Sequence, residues 1–98
     1  MLPSKRVRKA IHAFKHSDKR EIISALEEVT NLLFIHNAPA RFALREKWGD
    51  HALKGKLKHC RELHLGFDQL LVYEILEERN IIKLIEIVTH EELKKWNR

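Results

Sequence analysis

The chain has 98 residues, of which 44% are hydrophobic and 34% are charged, values typical of a folded globular protein rather than a disordered one. This length predicts one domain, residues 1–98, built around a single hydrophobic core. No apolar run approaches the roughly 20 residues that a membrane-spanning helix needs, and the N-terminal residues lack the apolar segment of a signal peptide. With a lone cysteine, Cys60, which excludes an internal disulfide, these features predict a cytoplasmic protein.

Positive charge is concentrated in two parts of the chain. Nineteen Lys and Arg residues against fourteen Asp and Glu residues give a formal net charge of +5. Seven cations and one acid lie between Lys5 and Arg20, and seven cations lie against two acids between Arg41 and Arg61. Such patches favour a polyanionic partner, either a nucleic acid or an acidic protein, although a basic helix is often only a solvated face.

The N-terminal third predicts a helical hairpin. A first helix should begin after Ser4, a residue type that caps helices, and end near His16. Ser17 or Asp18 can cap a second helix, since Asp18 and Glu21 have capping-box spacing. Both helices carry apolar stripes at helical spacing, formed by Val7, Ala10, Ile11 and Phe14 and then by Ile22, Leu26, Val29 and Leu33.

The segment after the hairpin predicts a connection. Asn37 and Pro39 interrupt the helical pattern, so residues 40–48 are expected to hold a short turn of helix before Gly49. Phe42 and Trp48 are expected to pack this connection onto the core.

The C-terminal half predicts strands. Residues 70–76 and 81–88 are rich in branched apolar side chains and are separated by a polar turn, which is typical of a β-hairpin. Residues 57–65 suit a preceding antiparallel strand, joined through residues 66–68, and residues 91–98 suit a last helical turn or two. The sequence therefore predicts an α+β fold in which the helical hairpin packs on one face of a small antiparallel sheet.

The stretch from Asp50 to Tyr73 gathers histidines, cations and carboxylates ahead of a buried strand. Imidazole titrates near neutral pH and can move protons to and from a ribose hydroxyl, while Lys and Arg offset charge on a phosphate. His90 follows the last predicted strand. These residue types together suit the cleavage of RNA.

The order and spacing of four short pieces resembles the RelE superfamily of bacterial toxins, closest to its YafQ-like branch. The pieces are Asp-His-Ala-Leu-Lys-Gly at 50–55, Arg-Glu-Leu-His at 61–64, Asp68 followed by Leu-Val-Tyr at 71–73, and Thr-His at 89–90. The resemblance covers about residues 50–93 and implies a twisted sheet with the active site on its concave face. It also implies an mRNA endonuclease that acts on the translating ribosome and is silenced by a cognate antitoxin.

By the same resemblance, functional roles fall on eight residues. The acid and base groups are His51, His64, Asp68 and His90, and the RNA-binding cations are Lys54, Lys56, Lys58 and Arg61. A ribose 2′-hydroxyl would attack the adjacent phosphorus, which requires a base, an acid and nearby cations but no metal or cofactor.

Three positions depart from the family pattern. Glu86 aligns with an arginine of the last strand, and Gln69 and Lys94 replace aromatic residues. An anion at Glu86 would repel the transition state, and losing one electrostatic donor can cost on the order of a hundredfold in rate. These departures favour an alternative, a catalytically weak or dead toxin-fold protein that acts by binding an antitoxin or another acidic partner.

Several residues also have purely structural interpretations. His64 and Asp68 could form an ion pair that pins a turn, and His90 could cap the terminal helix with Thr89. The spacing of the three histidines and Asp68 matches no short zinc signature, so no metal site is expected. Cys60 is expected to be a small core residue, not a nucleophile. A third class of function, a nucleic-acid-binding regulator that uses the basic first helix, lacks a recognition-helix motif.

Overall fold

Helices and strands follow one another through the part of the chain that the computed structural model describes, residues 1–17, 19–66 and 68–96. The helices are α1 (Lys5–Lys15), α2 (Arg20–Ile35), α3 (Ala38–Trp48) and α4 (His90–Trp96). The strands are β1 (Leu2–Pro3), β2 (His51–Ala52), β3 (Arg61–Gly66), β4 (Gln69–Leu76) and β5 (Ile81–Val88). Short 3₁₀ turns at Gly55–Leu57 and Glu77–Arg79 precede β3 and β5. Among these described helices, none combines the length and the apolar character that crossing a membrane requires.

The predicted helical hairpin is confirmed as α1 and α2. Ser4 caps α1, because its Oγ accepts a hydrogen bond from the backbone N–H of Val7, and His16 follows the last helical residue. The start of α2 differs from the prediction in that Lys19 occupies the N-cap position and makes no side-chain capping bond. Ser17 Oγ instead accepts a hydrogen bond from the backbone N–H of Lys19. The capping-box prediction for Asp18 falls outside the described residues.

The prediction of only a short helical turn at 40–48 is wrong, because α3 is a full helix of 11 residues. The side chain of Asn37 caps it by accepting a hydrogen bond from the N–H of Ala40, and Pro39 lies in the first turn. A proline is tolerated there since no helical partner awaits its missing N–H. Phe42 is 59% exposed rather than packed on the core, whereas Trp48 does pack against it.

The sheet has the strand order β1-β5-β4-β3-β2. Strands β2 to β5 pair antiparallel, which confirms the predicted strands 70–76 and 81–88, while β1 pairs parallel with β5 and makes the sheet mixed. The strand predicted at 57–65 begins later, at Arg61, because the preceding residues form a 3₁₀ turn. An irregularity in the β4–β5 pairing leaves Ile85 without a paired residue in β4, because Val72 pairs with Glu86 and Tyr73 pairs with Leu84.

The two faces of the sheet bury separate apolar clusters. Helices α1, α2 and α3 pack against one face through Val7, Ile22, Val29, Leu33 and Leu44, which meet Leu63, Leu71 and Leu84 of the strands. The other face carries Cys60, Leu70, Val72 and Val88, onto which Leu93 of α4 packs. We call this second face the site face, because the polar side chains of β3 described below lie on it.

Candidate functional site

Cross-strand pairing arranges the polar residues of the site face in rows. His51 pairs with Glu62, Glu62 with Val72, and Val72 with Glu86, so these four residues form one row across β2 to β5. The neighbouring row contains His64, Leu70 and Val88. The predicted histidines His51 and His64 therefore lie on adjacent rows of one face.

Three imidazole rings line up above these rows. The centroid of His64 lies 6.4 Å from that of His51 and 5.3 Å from that of His90. All three residues are exposed, whereas the strand side chains beneath them, Leu70 and Val72, are fully buried. The structure thus brings together the histidines that the sequence analysis selected, in a row that solvent and a bound polymer can reach.

Glu62 holds the first ring of the row. Its Oε1 lies 3.0 Å from Nε2 of His51, and Nδ1 of His51 lies 2.9 Å from the backbone carbonyl oxygen of Gly49. Both ring nitrogens thus face hydrogen-bond acceptors, an arrangement that a protonated imidazolium satisfies because it carries two N–H donors. His51 is therefore suited to act as a proton donor.

Asp68 holds the last ring. Nδ1–H of His90 donates to Oδ1 of Asp68, and the backbone N–H of His90 lies 3.3 Å from the same oxygen. The hydrogen bond from the His90 side chain lowers the pKa of Asp68, so the carboxylate stays ionised beside the ring. With Nδ1 occupied, His90 presents Nε2 as a proton acceptor.

Local backbone structure fixes both ends of the Asp68–His90 contact. Asp68 has a φ of +61°, a left-handed conformation that Asp tolerates better than most residues, in the turn that follows β3. Thr89 and Glu92 form a reciprocal capping box at the start of α4, in which each accepts a hydrogen bond from the backbone N–H of the other. The first residue of that helix, His90, is thereby held at the end of β5.

The middle ring rests on backbone. A Cβ placed on Gly49, which has a φ of +64°, would lie only 2.9 Å from Cδ2 of His64. Only glycine allows the α3–β2 loop to approach the ring this closely and to adopt this φ without strain. Gly49 therefore adjoins two of the three histidines, because its carbonyl oxygen faces His51 and the space that a Cβ would take is filled by the His64 ring.

A buried polar cluster lies behind β2, on the helix side of the sheet. The carboxylate of Asp50 accepts hydrogen bonds from Arg61, with Nη2 at 2.9 Å and Nε at 3.2 Å, and from the hydroxyl of Tyr73. Burial, and then the hydrogen bond to Asp50, raises the pKa of Tyr73, while the same carboxylate raises the pKa of Arg61. This cluster ties the residue before His51 to β3 and β4.

The predicted RNA-binding cations lie in different environments. Lys54, Lys56 and Lys58 are exposed in and around the 3₁₀ turn between β2 and β3. Arg61 differs from them, since it pairs with Tyr73 across the strands and its guanidinium is held by Asp50 on the helix side. The three lysines therefore place exposed positive charge in the segment that follows β2, and Arg61 contributes to the structure of the strand that carries it.

Glu86 lies in β5 and pairs with Val72, in the row that contains His51 and Glu62. Its half-buried carboxylate lies 3.1 Å from Nη1 of Arg6, at the start of α1. The anion that replaces the family arginine is thus partnered by a cation from another element. The other two departures, Gln69 and Lys94, begin β4 and lie exposed in α4, respectively.

Sequence reasoning assigned no role to four contributors to the site: Gly49, Asp50, Glu62 and Arg6. One signal was available for Glu62, because it alternates with Leu63 and Leu65 in a strand pattern and so shares a face with His64. The contacts of Asp50 and Arg6 join residues that are 11 to 80 positions apart, and spacing alone does not reveal them.

The site also contains three converging metal-ligand types. One ligand atom each from His51, Glu62 and His64 lies within 4.8 Å of the others. Glu62 is 6% exposed, and its Oε2 is buried without a hydrogen-bond partner among the described residues. Two imidazoles and a carboxylate suit a transition-metal ion such as Zn²⁺ or Cu²⁺. The zinc spacing rejected from the sequence involved the three histidines and Asp68, and Glu62 was not among those residues.

Comparison with known proteins places the chain in a family. Residues 1–95 match the family model of the bacterial toxin of type II toxin–antitoxin systems, YafQ. No curated protein is similar enough in sequence to match. The structure is similar to a metal-bound toxin from Helicobacter pylori, with 35% identity, 95% of this chain and 99% of that chain covered, and a TM-score of 0.69.

Two further solved structures are similar. A copper-bound mutant toxin from Helicobacter pylori is 30% identical, with 94% of each chain covered and a TM-score of 0.70. The E. coli DinJ–YafQ complex contains a chain that is 22% identical, with 94% of this chain and 93% of that chain covered and a TM-score of 0.66. Because the family model spans nearly the whole sequence, this chain belongs to the YafQ family of toxins of type II toxin–antitoxin systems.

Proposed function

We propose that the protein is an endoribonuclease toxin that cleaves mRNA by metal-independent general acid–base catalysis and thereby inhibits translation. The observation that carries this proposal is the row of three exposed imidazoles whose two ends are held by carboxylates, His90 by Asp68 and His51 by Glu62. The two end rings suit opposite proton transfers, because His90 presents a lone pair that can accept a proton and His51 carries N–H groups that can donate one.

The proposed reaction uses the two ends of the row. Nε2 of His90 removes the proton from a ribose 2′-hydroxyl, and the oxygen attacks the adjacent phosphorus to form a 2′,3′-cyclic phosphate. The bond from phosphorus to the 5′-oxygen breaks, and the exposed imidazolium of His51 turns its Nε2–H away from Glu62 and gives that proton to the leaving oxygen. His64, between the two rings, donates a hydrogen bond to the phosphate, and Lys54 and Lys56 offset its charge.

Membership of the family supports a proposal for the cellular setting. We propose that a cognate antitoxin silences the protein, as the E. coli DinJ–YafQ complex illustrates for a relative, and that mRNA is cut on the ribosome in the cytoplasm. Acidic side chains of the antitoxin would complement the net positive charge of the toxin.

Tightly controlled expression in a bacterial host tests the proposal. The wild-type chain should arrest growth and fragment mRNA, and the double variant Asp68→Ala/His90→Ala should do neither while remaining soluble and folded by circular dichroism. Purified protein should cut RNA without added metal, and assays with and without ribosomes measure ribosome dependence. Normal growth and intact mRNA with the folded wild-type chain would instead support the alternative, a toxin-fold protein that only binds its partner.

Replacing Gly49 by alanine is expected to lower the cleavage rate constant roughly tenfold to a hundredfold, because the new Cβ would displace the His64 ring. The matched control is Gly66→Ala, which also has a positive φ but whose Cβ would meet only Ile22, at 3.9 Å. Single-turnover cleavage by the two variants separates displacement of His64 from backbone strain. Equal losses in both would show that the contact with His64 has no role.

Replacing Glu86 by glutamine is expected to raise the cleavage rate constant, on the order of tenfold, because it removes an anion from the row that contains His51 and Glu62. Arg6→Gln, which leaves Glu86 without its partner, should lower the rate. Rate constants measured at several salt concentrations should converge as screening increases. Identical rates for both variants and the wild type would show that this position lies outside the field of the reacting phosphate.

Metal ions are expected to inhibit. The copper-bound and metal-bound relatives support a proposal that His51, Glu62 and His64 hold such an ion here. Binding would occupy the imidazole nitrogens that proton transfer requires, so Cu²⁺ should slow cleavage and a chelator should restore it. Calorimetry gives an independent measurement, in which Glu62→Gln should weaken Cu²⁺ binding. Glu28→Gln, at an exposed helix position, is the control. Unchanged Cu²⁺ affinity in Glu62→Gln would contradict the assignment.

A further inference from the structure

A cavity lies on the other side of β2 from the imidazole row. A cavity of about 380 Å³ opens between α3, the end of α2 and the β2–β3 edge, and we call it the edge pocket. Asp50 and Ala52, the residues on either side of His51, both line it. The edge pocket and the imidazole row therefore adjoin the same two-residue edge strand, which carries His51.

Three cations line the edge pocket without an acidic partner. Arg41 and Arg45 are one helical turn apart on α3, so their side chains lie on the same side of that helix, and Lys58 faces them from the turn before β3. No carboxylate of the described chain lies within ion-pair distance of any of the three. Of the two carboxylates in the lining, Asp50 is already occupied by Arg61 and Tyr73, which leaves Glu77 at the exposed rim. The pocket thus has an excess of positive charge.

The remaining lining suits a ring rather than a bare anion. Leu33, Leu44 and Ile75 supply an apolar floor, and the volume lies within the range of ligand sites, roughly 300 to 1,000 Å³. Nδ1 of His36, another lining residue, is buried without a hydrogen-bond partner among the described residues. Such an atom is uncommon in folded proteins and can be satisfied by a ligand that carries polar edges.

From this lining we infer that the edge pocket binds a phosphorylated nucleoside, with the phosphate on Arg41, Arg45 and Lys58 and the base over the apolar floor. Two sources share this chemistry. One is a nucleotide of the RNA substrate that has crossed β2 from the imidazole row, and this source rests on the proposed function. The other is a free mononucleotide, and this source does not rest on the proposed function.

Binding is measured first, because it does not require catalysis. Adenosine 5′-monophosphate is titrated into the full chain by calorimetry, with inorganic phosphate as a probe that lacks the ring and should bind more weakly. The variant is Arg41→Ala/Arg45→Ala, and the matched control is Arg8→Ala/Lys9→Ala, which removes the same charge from exposed positions of α1. Loss of two charge-assisted contacts should weaken nucleotide binding about tenfold or more, while the control keeps the wild-type affinity.

Cleavage then separates the two sources. Two RNAs with the same cleavage site are compared, one long enough to cross β2 and one trimmed at the scissile nucleotides. A KM that rises in the Arg41→Ala/Arg45→Ala variant for the long RNA alone, with kcat unchanged, assigns the pocket to the substrate.

Weakened mononucleotide binding with unchanged KM for both RNAs assigns the pocket to a free nucleotide. If the wild-type chain binds the mononucleotide but cuts no RNA, the pocket stands and the proposed nuclease falls. If nucleotide affinity is undetectable, or equal in the variant and its control, the edge pocket is not a nucleotide site.

Discussion

Replacement of His90 by alanine is expected to lower the single-turnover rate constant of RNA cleavage by about 10² to 10⁴, the usual contribution of a general base. The fall should appear in kcat rather than in KM, because in the proposed mechanism His90 takes up the proton being moved, whereas Lys54 and Lys56 offset the charge of the phosphate. His12→Ala, which removes an exposed histidine from α1, is the control and should change neither constant.

Asp68 should affect cleavage only indirectly, by holding the ring of His90. Its carboxylate accepts the Nδ1 proton of the ring, so Asp68→Asn should cost less than His90→Ala, on the order of tenfold to a hundredfold. In a double-mutant cycle, Asp68→Asn should then add almost nothing once His90 is alanine. If the losses in rate constant of the two single variants simply add in the double variant, Asp68 acts independently of the His90 ring.

The Asp68–His90 contact also sets the lowest pH at which the Asp68 carboxylate can support His90. The pKa of Asp68 is lowered in the folded protein, mainly by the hydrogen bond from His90, so the carboxylate is ionised at and above its ordinary value, about 3.9. The support that it gives to His90 is complete above that pH and is lost as the pH falls through the lowered pKa. Asp68 is therefore available across the whole range in which an imidazole can serve as a base.

Much of the fold could be predicted because its signals are local. Ser4 and the apolar stripe of α1 lie within about three turns of helix, and β4 and β5 are continuous runs of branched side chains. The failure at α3 came from Pro39, which interrupts a helix in its interior but not in its first turn. Strands of two residues, such as β1 and β2, have no periodicity to detect.

The site was predicted less completely, because much of it depends on pairing across the sheet. The three histidines and Asp68 came from motif order, which carries no information about what holds them. The position of Arg61 on the helix side follows from the alternation of β3, where Arg61, Leu63 and Leu65 share one face and Glu62 and His64 the other. The irregularity at Ile85 decides where Glu86 lies, and no local signal in β5 indicates it.

The largest expected loss of stability follows the removal of Asp50. Its side chain is 8% exposed, and replacement by alanine would leave the hydroxyl of Tyr73 and the guanidinium of Arg61 without their acceptor. Breaking a buried pair by removing one partner costs about 3 to 5 kcal/mol, and we expect the lower end because water reaches the Arg61 side chain, which is 35% exposed. Urea unfolding followed by circular dichroism measures the free energy of unfolding.

Two variants bracket this result. Tyr73→Phe removes one donor but leaves Asp50 with Arg61, so it should cost only about 1 kcal/mol. Glu28→Ala breaks an exposed ion pair with Lys47, and its cost should not exceed about 0.5 kcal/mol. An Asp50→Ala variant as stable as Glu28→Ala would show that the buried cluster does not stabilise the fold.

Alkaline pH tests the same cluster without removing Asp50. Because the folded pKa of Tyr73 is raised, its contribution to stability is fully present below the ordinary value, about 10, and is lost as the pH rises above that value. The wild-type chain should therefore lose stability above pH 10 more steeply than Tyr73→Phe. Since Asp50 precedes His51 directly and ties β2 to β3 and β4, the same loosening should lower cleavage before the protein unfolds. If the stability and cleavage of the wild-type chain fall with the same pH profile as those of Tyr73→Phe, ionisation of Tyr73 does not affect the fold or the site that the buried cluster adjoins.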